Sequence, residues 1–439
     1  MFLTRSQLGL SPGDAARRLG NRRGLAWLDG GLTHGQEGRF SFVGCEPVEV
    51  VERCFGDPKP LSVLDGLVRQ PRVAGADGAT SALPEVQAED VPAWIGHIAY
   101  DSLDGGHRES LVRHRQLPCL HFARYAALYG FDHARGLGFL VGDSEAACAD
   151  LEGLLAAPAA AATDCEFTAG PVLAGSPERH ADNVRAALER IAAGDVYEVN
   201  LARRFRAAFH GQPLGLFLRM RAQSPVPFGY FVNAGSHALL GRSMERFLRY
   251  RRCDRALWTS PIKGTIASTG DGAREASALL ANPKEHAEHA MVVDLMRNDL
   301  SRVSEAGSVH VRELMRVLPF AGLSHLVSTV ESRARKELSV SQILSGTFPP
   351  GSVTGAPKES AMRIIAALEE APRGFYTGAV GFLDRAGGFS FSVTIRTAVV
   401  HGGHVEYCAG GGIVIDSDPL AETLETELKA QAFLRALSP

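Results

Sequence analysis

Cysteine is scarce and unpatterned in this chain: seven residues, at 45, 54, 119, 148, 165, 253 and 408, odd in number, widely spaced and without a C-x-x-C pair. That spacing excludes a disulfide framework and a structural zinc site, and a reducing cytoplasm is the simplest home. Long hydrophobic runs are also missing. No stretch approaches the ~18 apolar residues of a membrane span, and the opening MFLTRSQLGLSPGD lacks the unbroken apolar segment of an export signal. Membrane insertion and export are therefore not expected. Neither sign of charge dominates: 46 Lys plus Arg against 49 Asp plus Glu leave a net charge of −3, so no global basic field exists to hold a nucleic acid. Glycine (47) and proline (23) are too few and too scattered for a collagenous or low-complexity chain. What remains is ordinary globular composition, 45% hydrophobic and 22% charged over 439 residues, long enough that core size sets no limit.

Short strand-like runs occupy Leu25–Asp29 and Arg39–Gly44, and strand signals return at Trp94–Tyr100 and from His121 to Val141. Residues 57–90 read as a long surface insertion around one short helix, and GLLAAPAAAATD as a helix end followed by a connector. The main boundary falls near 165–175, dividing the chain into 1–170 and 171–439, two regions expected to interleave in one globular unit. Beyond the boundary, Ser176 is placed to cap a helix, with Pro177 at its first position. Val184, Ala187, Leu188 and Ile191 lie on one face, and Gly194 is the terminator. Residues 225–262 alternate like antiparallel strands, and 377–415 read as a three-strand meander turning at Arg385–Gly388 and His401–His404. The second half is α+β.

Several side chains stand where chemistry is possible. Glu285, three residues after Asn282, suits a capping box. Glu288 shares a helical face with Met291, Val292 and Leu295, where an ionised carboxylate is costly unless paired or metal-bound. Exposure at a frayed first turn is the alternative. Glu425 shares a face with Leu428 and Ala432 but also precedes Lys429 by four residues, the spacing of an intrahelical ion pair. Two inward carboxylates on separate helices would suit magnesium, which takes few protein ligands and keeps waters. FPPGSVTGAPKES and CAGGGIVIDSDP read as Gly-rich turns before helices, either plain turns or anion cradles; neither is a nucleotide loop. Arg396, in FSFSVTIRT, reads as projecting from the polar face of a strand, and Lys263, in TSPIKGT, as a turn residue between Pro261 and Gly264. A lysine becomes a nucleophile once desolvation or a cationic neighbour lowers its pKa.

These segments, in this order, resemble the chorismate-utilising enzymes, and within them the aminodeoxychorismate synthase component I group most. The likeness runs from about Val172 to the end through GDVYEVNLARRF, GRSMERF, SPIKGT, EHAMVVDLMRNDLSRV, HLVST, FPPGSVTGAPKESAMRII, GAVGF, SVTIRT, AGGGIVIDSDP and AETLETELK. LAWLDGG, GRFSFVG and WIGHIAYD are similar to the family's amino-terminal segments, which form a tryptophan pocket in some members. Asp29-Gly30 stands where tryptophan binders show an acid followed by Ser, so no such pocket is assumed.

The resemblance implies the anthranilate synthase component I-like fold, antiparallel β-sheets packed face to face with helices outside. It implies chorismate as substrate and Mg2+ as cofactor, with Glu288 and Glu425 as ligands and Glu285 and Glu422 as neighbouring carboxylates. It makes Glu245 the acid that assists loss of the 4-hydroxyl, assigns Tyr376, Arg396, Gly410, Gly412 and Lys429 to carboxylate binding, and sets His325 and Thr354 against the ring. Lys263 decides the subfamily: aminodeoxychorismate synthases read PIKGT and use this lysine covalently before ammonia displaces it, whereas anthranilate synthases carry a small Ala there.

Glu198 is a departure. Many ammonia-using relatives have Gln there, and the water-using isochorismate and salicylate synthases a Lys. Glu198 either orients the incoming ammonia or pairs with Arg203 or Arg204. The family's Arg shortly after PIKGT is missing from TIASTG, and no G-x-C-x-G glutaminase segment occurs, so ammonia is expected from a separate glutamine amidotransferase subunit or from solution. The expected reaction is amination of chorismate to 4-amino-4-deoxychorismate, for para-aminobenzoate and folate. Its rivals are anthranilate formation, isochorismate or salicylate formation, and an inactive chorismate-binding subunit.

Overall fold

The computed structural model describes residues 1–20, 22–31, 38–68, 86–103, 117–157, 165–223, 226–267, 270–320 and 323–438. Parts of the expected insertion at 57–90 and of the connector after Ala156 lie outside them. Two antiparallel sheets, of 13 and 10 strands among the described residues, account for the β-structure. The larger sheet runs from Phe2–Arg5 through Ala26–Asp29, Phe228–Asn233, His237–Ser243, Thr397–His401 and His404–Ile413 to Glu198–Gly211. The smaller runs from Ile262–Ala267 through Leu323–Arg333, Arg246–Arg251, Phe389–Val393 and Pro92–Ile98 to Glu49–Cys54. Strands from before and after residue 170 thus share both sheets.

The period-2 alternation of side chains sorts residues to either face of the larger sheet. Tyr230, Val232 and Leu239 face the smaller sheet and join Trp94, Phe122, Phe389 and Phe391 in one core. Phe231, Ala238 and Leu240 face the other way, against Leu214, Phe217 and Phe433 of two covering helices, Pro213–Gln223 and Pro419–Leu437. The Glu198–Gly211 strand obeys the same rule: Val199 and Leu201 pack under Val184, Ala187, Ala361 and Ile365, which leaves Glu198 and Asn200 on the opposite face.

The helix over Pro177–Ala192 forms as its sequence dictates. Ser176 Oγ accepts the Arg179 N–H, and Gly194 closes the end at φ +82°. The 377–415 segment differs from its reading. It makes four strands, because Phe389–Val393 belongs to the smaller sheet and Thr397–His401 to the larger, and the chain crosses between sheets at Thr394–Arg396. Strands that change sheets in a sandwich do so at such bends. Arg396 takes the left-handed conformation there, at φ +51°, so it is a crossover residue and not a strand residue. The Gly-rich AGGGI is not a turn either; it is the last part of the strand His404–Ile413.

Candidate active site

Lys263 lies on the edge strand Ile262–Ala267 of the smaller sheet, not in a turn. Gly264, at φ +65°, provides the left-handed residue of a bulge, and the register against Leu323–Arg333 shifts between Lys263 and Thr265. The lysine reaches across to the larger sheet, its Nζ 3.0 Å from Glu198 Oε1. Glu198 is only 3% exposed, and its Oε2 has no hydrogen-bond partner among the described residues. Burial alone would push the Lys263 ammonium toward the neutral amine. The charge and hydrogen bond of Glu198, joined by Glu288 and Glu245, outweigh it and hold the pKa above the ordinary lysine value. Arg203 and Arg204, the alternative partners of Glu198, turn instead to Glu427 and Glu406.

Gly412 makes this pair possible. It sits opposite Asn200 in the sheet, and a Cβ there would stand 2.2 Å from Glu198 Oε1 and 3.1 Å from Lys263 Nζ. Glycine in this strand thus marks a close approach of side chains, not a turn.

Glu245 follows the strand His237–Ser243 and is 5% exposed. Burial raises its pKa to about 7, against the opposing effects of the Ser352 hydrogen bond and the Lys263 charge. A carboxyl in that range is a proton donor near neutrality.

The four carboxylates expected at a metal are set on two helices, Pro283–Ser301 and Pro419–Leu437. The Glu285 N–H bonds Asn282 Oδ1 at 3.4 Å, consistent with the capping position, while its Oε2 approaches Gly264. A Cβ on Gly411 would lie 3.1 Å from Glu422 Oε2 and 3.8 Å from both Glu425 oxygens, so Gly411 leaves these carboxylates room. Glu422 Oε1 accepts from Ser417 Oγ, and Glu425 Oε1 meets Lys429 Nζ at 2.6 Å, the i,i+4 pair. Among the described residues no three acidic, His or Cys side chains converge into a ligand cluster. The donors are nevertheless all carboxylate oxygens, the class a small hard cation selects, and such a cation needs only one or two of them.

Lys429 also donates to the Gly410 carbonyl. Burial lowers its pKa, Glu425 opposes, and Arg396 and Lys263 add to the lowering. Arg396 donates to the Lys429 carbonyl and lies beside His325, whose pKa burial and this arginine bring down to about 4. His325 is therefore a neutral imidazole. Thr354 is fully enclosed, its hydroxyl donated to the Pro350 carbonyl and its own carbonyl bonded to the Asn200 N–H. Tyr376 is buried. It shares a cavity with Arg204, Arg373, Tyr407 and Cys408, and the Arg373 guanidinium lies over its ring, 5.5 Å from the centroid.

Two features escaped sequence reasoning. Ser352 Oγ donates a short hydrogen bond to Glu245 Oε1; its signal was only that it sits inside FPPGSVTG. Arg373 forms a buried pair with Glu369 at 2.8 Å and also bonds the Val353 and Asn200 carbonyls, tying that loop to the Glu198 strand.

Comparison with known proteins follows the same lines. The family model described as chorismate binding enzyme matches residues 34–435. Aminodeoxychorismate synthase component 1 of Klebsiella aerogenes is 42% identical over 265 residues, 60% of this chain and 58% of that protein. Anthranilate synthase component 1 of Streptomyces coelicolor is 35% identical over 432 residues, 91% of this chain and 81% of that protein. The chain thus spans under two thirds of the aminodeoxychorismate synthase component it matches. Among solved structures, anthranilate synthase component I of Streptococcus pneumoniae superposes with a TM-score of 0.73 at 28% identity, covering 98% of each chain. The menaquinone-specific isochorismate synthase of Escherichia coli gives 0.72 at 20% identity, covering 97% of this chain and 91% of that one, which is a likeness of fold.

Proposed function

The chain belongs to the chorismate-binding enzyme family, and from that premise we propose that it is the chorismate-aminating component of an aminodeoxychorismate synthase. The observation that carries this reading is Lys263, whose Nζ is held between the two sheets by Glu198. A subfamily that made anthranilate would need no amine at that position. Relatives named component 1 of aminodeoxychorismate synthase support the reading, and that name implies a second subunit. We assign that subunit to a glutamine amidotransferase supplying ammonia. The observation on the other side is that anthranilate synthase relatives align with more of the chain, 91% against 60%.

The chemistry follows from the charges. At rest Lys263 is an ammonium, so it becomes nucleophilic by passing a proton to Glu198. The free amine then adds to the ring, the double bonds shift, and the 4-hydroxyl leaves as water with the proton of Glu245. Ammonia next adds where the hydroxyl left, and Lys263 departs with the bonding electrons and recovers its proton from Glu198. Glu245, now a carboxylate, takes the surplus proton of the new amine, and the cycle closes as chorismate plus ammonia to 4-amino-4-deoxychorismate plus water. Arg396, Lys429 and Tyr376 are assigned to the substrate carboxylates and neutral His325 to the ring edge. Magnesium, held by Glu288 and Glu425 with Glu285 and Glu422 beside them, would bind the ring carboxylate and draw electron density toward loss of the hydroxyl.

Purified protein incubated with chorismate, magnesium and ammonium, with products resolved by mass, tests the proposal. An aminated ring that keeps its enolpyruvyl group is expected. Anthranilate, or a hydroxylated isomer formed without ammonium, would replace this reading by a rival.

A further inference from the structure

Glu245 as an acid has two oxygens, and only one of them can carry the proton toward substrate. The structure distinguishes them. Ser352, 6% exposed, donates its single hydroxyl hydrogen to Oε1. Both partners are fixed by their backbones. The Glu245 N–H bonds Ser243 Oγ at 3.3 Å and its carbonyl accepts the Val393 N–H at 3.0 Å. Ser352 sits in the tight turn Gly351–Val353, closed by the Thr354 N–H on the Gly351 carbonyl. A Cβ on Gly351 would meet Asp299 Oδ2 and Met296 Cε at 2.7 Å, so the turn is seated directly on the helix Pro283–Ser301. Lys358 anchors its far end through Asp299, at 2.8 Å, and the Thr347 carbonyl.

We propose that Ser352 is a positioning residue for the acid: by occupying Oε1 it confines the transferable proton of Glu245 to Oε2. The inference rests on the reading of Glu245 as the proton donor, and holds whichever nucleophile follows. The charged groups facing Glu245 are Lys263 from the edge strand and Glu198 from the larger sheet; the adjacent Arg246 turns away to Ser390. A donor to the carboxylate favours its ionised form, so removing Ser352 raises the pKa further above its present value of about 7.

The test is the pH dependence of kcat with chorismate, ammonium and magnesium for the full chain and for Ser352→Ala and Ser352→Thr. Activity of a general acid falls as pH rises through its pKa. The Ala variant should lose about ten-fold in kcat at neutral pH with the chorismate KM little changed. Its alkaline limb should move up by roughly one pH unit, so that its activity relative to wild type recovers as pH rises. Ser352→Thr should restore both rate and limb. A uniform loss with the limb unmoved overturns the inference, as does failure of Thr to restore the limb. Should Ser352→Ala not fold, Ser352→Cys keeps the size with a weaker donor and should displace the limb in the same direction. Glu245→Gln separates the two levels: wild-type kcat in that variant removes the acid itself, whereas its loss beside an unmoved Ser352→Ala limb removes only the role of Ser352.

Discussion

Lys263 Nζ lies 3.0 Å from Glu198 Oε1, which joins the lysine we propose as nucleophile on one sheet to a buried carboxylate of the other. The pair carries one transferable proton between its members, so the free amine can be made without release of that proton to solvent. Glu198→Gln removes the acceptor and the largest charge that raises the lysine pKa, leaving burial opposed only by Glu288 and Glu245, so the pKa falls. The lysine must then lose its proton to water. The product is expected to stay the same while kcat acquires a limb that rises with pH, absent from wild type. Rate profiles from pH 6 to 10 check this, and overlaid curves would return Glu198 to a structural role.

Gly412 and Gly411 are neighbours with unequal tolerance. A methyl on Gly412 would overlap the Glu198 carboxylate at 2.2 Å, whereas one on Gly411 meets Glu422 Oε2 at 3.1 Å. Displacing a reacting group by about 1 Å costs on the order of 100-fold in rate. Gly412→Ala should therefore lose roughly that much kcat, and Gly411→Ala distinctly less, with both proteins folded by circular dichroism.

Glu288→Gln and Glu425→Gln should each raise the magnesium concentration needed for half-maximal activity. Glu425→Gln also releases Lys429 from its 2.6 Å partner, so it should in addition change the chorismate KM. Titration of activity against magnesium after chelation checks both, and unaltered dependence in the two variants would place the ion elsewhere.

Stability should depend on pH through a histidine cluster packed against Phe375. His97 and His237 face each other between the sheets with their Nε2 atoms 2.9 Å apart, and His121 stacks on His97. Burial lowers the pKa of His237 to about 3 and that of His97 well below the ordinary value; repulsion from His121 and His401 adds to the lowering at His237, and from His237 and His121 at His97. Since the folded values lie below the unfolded ~6.5, stability is complete above that pH and is lost as pH falls, by about 1.4 kcal/mol per unit for each such histidine. Denaturant unfolding at pH 7, 6 and 5 should show the loss. A His237→Phe variant, if folded, should show a shallower slope.

The helix over Pro177–Ala192 was legible because a cap, a proline, an apolar stripe and a terminal glycine all agree on it. The alternation of 225–262 was equally plain, and the two-sheet α+β class followed from the family likeness. The crossover at Thr394–Arg396 was not legible, since the residues on either side alternate alike and only tertiary placement assigns them to different sheets. Lys263 read as a turn residue because Pro261 and Gly264 flank it, yet the glycine makes a bulge and the strand continues. The partner of Glu198 was beyond sequence reach: it lies 65 residues away on another sheet, while two arginines stand nearby in the sequence. Ser352 was hidden for the same reason, 107 residues from the carboxyl it touches.

The central claim is that Lys263 is the covalent nucleophile, and the most direct measurement is the product formed by Lys263→Ala beside wild type with chorismate, magnesium and ammonium. Wild type should yield 4-amino-4-deoxychorismate. The variant should lose it and pass instead to amination at the ring carbon, beside the carboxylate-bearing one, that the lysine otherwise occupies. Undiminished 4-amino-4-deoxychorismate from Lys263→Ala would contradict the account.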